Sequence, residues 1–266
     1  MTIVPHHISV DGHYYSLNYL YEEIGMDVPD DWDRDIIIRP IDVDDPCMGL
    51  YRRAKVPDGA VEGADLSGYS DSTEKIAKAV MGTFDNIANQ SSLSWYKPLE
   101  PTKIAEAIER VSWRSSVTNV ATELLSNLIL AHGLPNANHR TSIAMLDFYL
   151  ESIGTMPRSP RTVEEDEWTS WANGFIQRSK ICTTLRRKGD LFKRLSERGA
   201  TGVSLKQELT INFSRYPVDI PDAWSRYENR HEICCRRFVN RYLNIAGAAN
   251  LKTRDDAGQR AFADRL

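Results

Sequence analysis

The strongest constraint on the fold is a pair of apolar helical patterns that meet across one short polar loop. Val117, Val120, Ala121, Leu124, Leu125 and Leu128 recur at the spacing of a broad helix face. After the loop, "RTSIAMLDFYLESIG" repeats the pattern, with Gly154 placed to end it. Both runs are apolar enough to belong to the core. Between them stands "HGLPNANHRTS", residues 132–142. A plain interhelical turn needs a glycine or proline and little else. This one also holds two histidines, two asparagines and an arginine.

Other stretches carry the same helical period. A helix is expected from Asp71, with Asp71 as an acidic N-cap, Glu74 completing a capping box, and Ile76, Val80, Phe84 and Ile87 on one face. Thr102 is expected to cap a helix bearing Ile104, Ile108 and Val111. A further helix near 163–179 contains Trp168, Trp171, Phe175 and Ile176, and "GDLFKRLSERG" and "HEICCRRFVNRYLNIAG" read as helical too. Only "DIIIRPIDV" reads as a short strand or extended segment, its β-branched run broken by Pro40. The fold class is therefore mostly α. Three regions are expected: an acidic, partly extended N-terminal extension over 1–70, a helical core over 71–180, and a basic helical region over 181–266.

The chain has 266 residues, enough to bury a sizeable core. No run of about 18 apolar residues occurs, so no membrane span or membrane partner is expected. "MTIVPHHISVDGHYYSL" lacks a basic stretch followed by an apolar one, which makes the cytoplasm the expected compartment. Residues 1–179 carry 15 basic and 27 acidic side chains, a net of −12; residues 180–266 carry 18 and 10, a net of +8, giving −4 for the whole. The four cysteines show no CxxC spacing and read as buried or half-buried thiols rather than a zinc site. The acid-rich stretch around residues 21–45 lacks the EF-hand spacing and reads as a solvated face.

The loop supplies specific chemistry. His132 lies where one helix stops, and Asn138 to Arg140 where the next begins. Amide groups in a helix's first turn have no intrahelical acceptor, and that end carries a partial positive charge, so it favours an anion. Arg140 adds a fixed cation with bidentate geometry. A histidine beside such a site can take a proton from a hydroxyl attacking phosphorus. Taken singly, His132 can equally cap carbonyls and Arg140 form a surface ion pair. Together they point to transfer between a nucleotide phosphate and an alcohol.

"HGLPNANHRTS" resembles the signature of the Fic/Doc (Fido) family: a histidine, an acidic or amide residue four positions on, a small residue, then Asn-x-Arg. The Asn-Ala-Asn-x-Arg-Thr form is closer to the Doc branch. The resemblance covers about residues 70–180. It implies a Fido-type helical bundle that transfers part of ATP, with Mg²⁺, to a hydroxyl of a target protein. Fic enzymes move AMP; Doc-type toxins move the γ-phosphate onto a translation factor. By resemblance His132 is the general base, and Asn138 and Arg140 hold phosphate. The backbone of Gly133, Pro135, Asn136 and Ala137 lies in the stretch that forms the anion hole. Asn136 stands where the family places an acidic Mg²⁺ ligand. Ser94, Trp95 and Tyr96, in "SSLSWYKPL", are candidates for the flap that aligns the target.

Four departures matter. Asn136 is neutral, and an amide is a weaker magnesium ligand than a carboxylate. Leu134 replaces an aromatic residue, Ile143 replaces the second arginine of AMP-transferring members, and His139 replaces a glycine or lysine. His139 assists phosphate binding through its charge only when protonated. These changes favour phosphoryl transfer or a weakened enzyme over standard AMP transfer. Ser70 to Glu74 and Ser204 to Glu208 match only the first part of the family's inhibitory motif, so restraint is expected from a separate antitoxin. A second reading is a degenerate Fido protein that binds protein or nucleic acid through its basic C-terminal region. There "LFKRLSERGATGVSLKQEL" reads as a helix-turn-helix.

Overall fold

The computed structural model describes residues 2–10, 13–14, 36–41, 47–54, 65–91, 93, 97–154, 165–197, 202–204, 209–255 and 257–266. The chain is mostly α-helical. It divides into two compact units, one of residues 1–55 and 180–228, the other of residues 56–179 and 229–266.

The second unit contains the loop. Its helices are α1 (Asp71–Ser91), α2 (Pro101–Glu109), α3 (Val117–Ala131), α4 (Asn138–Ser152), the first part of α5 (Glu165–Glu197), most of α6 (Ala223–Ile245) and α7 (Gln259–Ala263). Helix α3 packs on α2 and α4, and α1 packs on α2, α4 and α7. The apolar stripes meet in one core, in which Ile76, Phe84, Ile104, Ile108, Leu124, Leu125 and Tyr149 are buried. Trp171 of α5 stacks on Phe238 of α6 with ring centroids 4.6 Å apart. This is the burial that the 3.6-residue period of each helix provides for.

Two helix starts differ in detail from expectation. At α1 the capping oxygen belongs to Ser70, whose Oγ accepts from the Thr73 amide at 3.2 Å; Asp71 is the first helical residue. At α2 the helix begins one residue before Thr102, at Pro101, with Glu100 preceding it and no side-chain cap. A proline at the first helical position has no amide to satisfy and a preset φ, so it starts the helix unaided. Helix α4 closes as expected, with Gly154 at φ +82°.

The first unit contains the strands β1 (Thr2–Val10), β2 (His13–Tyr14), β3 (Ile36–Ile41), β4 (Cys47–Ala54), β5 (Gly202–Ser204) and β6 (Thr210–Asn212). They form an antiparallel sheet in the order β3-β4-β1-β5-β6, with β2 paired to β1. The run expected to be extended is β3, and Pro40 lies opposite Met48. "LFKRLSERGATGVSLKQEL" is not a helix-turn-helix. Helix α5 ends at Glu197, and Gly202–Ser204 form a strand that pairs with β6 and, through Ile8 opposite Val203, with β1. The reason is steric: a Cβ on Gly202 would lie 2.5 Å from the Ile211 carbonyl oxygen, so only glycine permits this strand approach. Val203, Ile211, Phe213, Phe192 and Tyr227 form this unit's own core.

Candidate active site

Helix α3 starts at a serine cap, Ser116 Oγ accepting from the Asn119 amide, and runs to Ala131. His132 then takes the left-handed conformation, φ 50° and ψ 37°. Ala137, before α4, does the same at φ 51° and ψ 21°. Among the described residues the only other non-glycine residue with positive φ is Asp222. Such a conformation costs a residue with a Cβ about 1–3 kcal/mol and persists only where surrounding contacts impose it. Two of them, His132 and Ala137, thus bracket the four residues Gly133, Leu134, Pro135 and Asn136.

Those contacts can be named. The Glu100 amide donates to the Gly133 carbonyl at 2.8 Å. A Cβ on Gly133 would lie 2.7 Å from Ile104 Cγ1 and 3.0 Å from the Glu100 carbonyl oxygen, so glycine lets the loop sit against the start of α2. Lys97 Nζ donates to the His132 carbonyl and also pairs with Glu100 at 2.5 Å, while Lys103 pairs with the other Glu100 oxygen. A cation at that carbonyl complements the negative end of α3. Burial works against ionisation of Glu100, but Lys103 and Lys97 outweigh it and hold its carboxyl below the ordinary value.

Asn138, the first residue of α4, is buried. Its Oδ1 accepts from the Leu134 amide at 3.2 Å and its Nδ2 donates to the Leu134 carbonyl at 3.0 Å. It closes the turn as a two-bond clamp. Leu134, where the Fic/Doc resemblance leads one to expect an aromatic residue, is buried in the core. Asn136 Oδ1 accepts from the Ala137 amide at 2.7 Å. Two amides of the stretch expected to face an anion, those of Leu134 and Ala137, are thus engaged by asparagine oxygens, and Pro135 has none to offer. Arg140 is exposed on the first turn of α4 and donates to Ser91 Oγ at 3.3 Å.

His139, half-buried, faces elsewhere. Its Nε2 lies 2.9 Å from Ser179 Oγ on α5. Ser179 Oγ is 2.7 Å from Nε2 of His231 on α6, whose Nδ1 is 2.8 Å from Ser126 Oγ on α3. Ser126, Ser179 and His231 are all buried, and the buried Cys235 sulfur lies 3.8 and 3.9 Å from the two ring nitrogens of His231. Sequence reasoning missed this chain and also Lys97. A signal existed: Tyr227, His231, Cys235, Phe238 and Tyr242 form one buried helical stripe, and a histidine on such a stripe needs polar partners.

The structure brings His132, Gly133, Pro135, Asn136, Ala137, Asn138, His139 and Arg140 into one loop and helix turn. Ser94, Trp95 and Tyr96 lie outside the described residues. As a holder of Mg²⁺ the site does not fit. Asn136 is engaged with Ala137, and no group of three or more His, Cys, Asp or Glu stands at metal-binding distance among the described residues. Magnesium is usually held by one or two carboxylates beside substrate phosphates. Among the described residues no helix is long and apolar enough to cross a membrane.

A model of a family of unknown function, DUF8172, matches residues 1–266, the full length given. The chain belongs to the DUF8172 family. No curated protein and no solved structure matches it.

Proposed function

We propose that the 132–140 loop of this DUF8172 protein moves a phosphoryl or adenylyl group from ATP to a hydroxyl of a target protein. The observation that carries the reading is the bracketed turn. His132 and Ala137 are both left-handed, at the facing ends of two core helices, with Arg140 exposed one turn into the second. Backbone strain of this kind concentrates at working sites, where surrounding structure holds a side chain in a set position.

In this reading His132 takes the proton of the attacking hydroxyl as its oxygen bonds to phosphorus. The phosphoanhydride bond breaks, and ADP leaves after phosphoryl transfer or pyrophosphate after adenylyl transfer. Arg140 and the first turn of α4 hold the negative charge. Magnesium enters as part of the nucleotide substrate, since the loop supplies no carboxylate for it. Ile143, half-buried at the edge of the core, gives no second cation, which favours the γ-phosphate as the transferred group. A toxin acting on a translation factor in the cytoplasm, restrained by a separate antitoxin, is the biological role this chemistry suits.

The test uses purified protein with Mg²⁺ and a cell lysate, and ATP labelled on the α- or the γ-phosphate. Removing a general base typically costs 10²–10⁴-fold. Label on a lysate protein that His132→Ala abolishes is the expected result, from γ-labelled ATP for phosphoryl transfer and from α-labelled ATP for adenylyl transfer. Equal labelling by wild type and variant would overturn the role of His132.

A second reading draws on α6. Arg230, Arg237 and Arg241 are exposed at helical spacing beside the half-exposed Ile233, a face suited to phosphates or acidic side chains. Binding of nucleic acid by such a row weakens steeply with salt. Salt-sensitive retention of a labelled oligonucleotide, lost when the three arginines become glutamine, would favour this binding module over the transferase.

A further inference from the structure

The His139–Ser179–His231–Ser126 chain joins helices α4, α5, α6 and α3 of one unit. A serine hydroxyl between two imidazoles suggests a nucleophile, but Ser179 is fully buried and no substrate can reach it. Its position serves another purpose, which proton counting makes explicit.

Ser179 Oγ carries one proton and lies within hydrogen-bond distance of two ring nitrogens, 2.9 Å from His139 Nε2 and 2.7 Å from His231 Nε2. It can donate to one ring only, so the other ring must donate to it. His231 is engaged at both nitrogens. With both rings neutral, two proton orders satisfy these three hydrogen bonds. In the first, Ser126 donates to His231 Nδ1, His231 Nε2–H donates to Ser179, and Ser179 donates to His139 Nε2. The His139 proton then sits on Nδ1. In the second, every bond is reversed: His139 Nε2–H donates to Ser179, Ser179 to His231 Nε2, and His231 Nδ1–H to Ser126. Any other order at Ser179 leaves a buried polar atom unsatisfied: two donating rings leave the Ser179 proton without an acceptor, and two accepting rings leave one ring lone pair facing the oxygen.

We propose that Ser179 and His231 are positioning residues that set which nitrogen of His139 carries its proton. They thereby decide whether the Nδ1 side of that ring is a donor or an acceptor. In the first order Nδ1–H is a donor although the ring is neutral; in the transfer reading this lets His139 assist phosphate binding without being charged, but the coupling of the two rings does not rest on that reading. His139 is thus a histidine on the first turn of α4 whose tautomer is coupled, from inside the fold, to that of a second histidine that no substrate meets.

The experiment is long-range ¹H–¹⁵N correlation NMR of the full ¹⁵N-labelled protein, at a pH of about 8 where an ordinary imidazole is neutral. In the wild type the rings must show opposite tautomers, Nδ1–H on one and Nε2–H on the other, or complementary populations if they exchange. The same tautomer on both overturns the proposal without any variant. Ser126→Ala, three hydrogen bonds from His139 along the chain, should change the His139 ring nitrogen shifts. Ser179→Ala should uncouple the rings and bring the two His139 nitrogens toward a common averaged shift, and Ser179→Thr, which keeps the hydroxyl, should restore their separation. Unchanged His139 shifts in folded Ser126→Ala and Ser179→Ala would also overturn it. No ATP is present, so failure of the transfer reading leaves this outcome readable. In the labelling assay Ser179→Ala should slow transfer and Ser179→Thr restore it; equal rates would overturn the step from coupling to catalysis.

Discussion

The two ends of the 132–140 loop are held by different physics. At the His132 end the backbone is fixed by the packing of Gly133 against α2 and by a partly exposed cluster of Lys97, Glu100 and Lys103. At the Asn138 end it is fixed by a buried amide clamp, and the next residue is tied to a buried histidine–serine chain. Charges near solvent are screened and yield to salt and pH; buried neutral hydrogen bonds do not. In the proposed transfer, the Asn138–Arg140 end would be the rigid platform for negative charge, and the His132 end, whose environment can change with conditions, would carry the group that takes up and gives back a proton.

The sharpest way to break this comparison is to remove the clamp. Asn138→Ala leaves the Leu134 amide and carbonyl buried without their partner. A buried unsatisfied group costs about 1–3 kcal/mol, so the variant should lose about 2–4 kcal/mol in urea unfolding at neutral pH. The loss should be the same at low and high salt. A cost below about 1 kcal/mol would mean that water or another group replaces the clamp, and the two ends would then be alike.

The contrast between the ends also marks what the sequence could disclose. The helices around the loop were legible because their stripes are local: Val117 to Leu128 and Ile143 to Leu150 declare a face within a few turns, and Gly154 declares a stop. The loop's histidine and arginine stood out because a turn does not need them. The clamp did not stand out, since an asparagine bonded to Leu134 looks the same in sequence as one aimed at a phosphate. His231 and Ser126 were hidden among their helices' apolar positions, and the hydrogen bonds that link them to His139 span 40, 52 and 105 residues. The sheet was hidden for the same reason. Ile8 pairs with Val203 across nearly 200 residues, and short strands without local alternation leave no periodic trace of such a partner. The start of α1 was misplaced by one residue because Ser70 and Asp71 are both good caps, and only the Thr73 amide decides between them.

A smaller effect tests the packing at the His132 end. Gly133→Ala places a methyl 2.7 Å from Ile104 Cγ1 and 3.0 Å from the Glu100 carbonyl oxygen. Overpacking of this kind costs about 1–3 kcal/mol. The variant should melt earlier than wild type, and the loss should be smaller in an Ile104→Ala background, which lacks the Cγ1 that the methyl meets. An undiminished loss there would show that the Glu100 carbonyl, rather than Ile104, sets the limit.

The smallest effect concerns the charges. The folded-state pKa of Glu100 lies below its ordinary value of 4.5, because Lys103 and Lys97 outweigh the opposing effect of burial. A carboxyl depressed on folding contributes stability that is fully present above its unfolded pKa and lost as pH falls through the folded one. Wild type should therefore shed a small increment of stability on acidification below about pH 4.5, and Glu100→Gln should lack that increment while matching the rest of the profile. Lys97→Met should cost less than about 1 kcal/mol at neutral pH, and less still in high salt. Its larger consequence is expected at the His132 carbonyl, which loses a cationic partner. If Lys97→Met proves costlier than Asn138→Ala, the rigid end of the loop is the His132 end, and the assignment of platform and proton-handling group must be reversed.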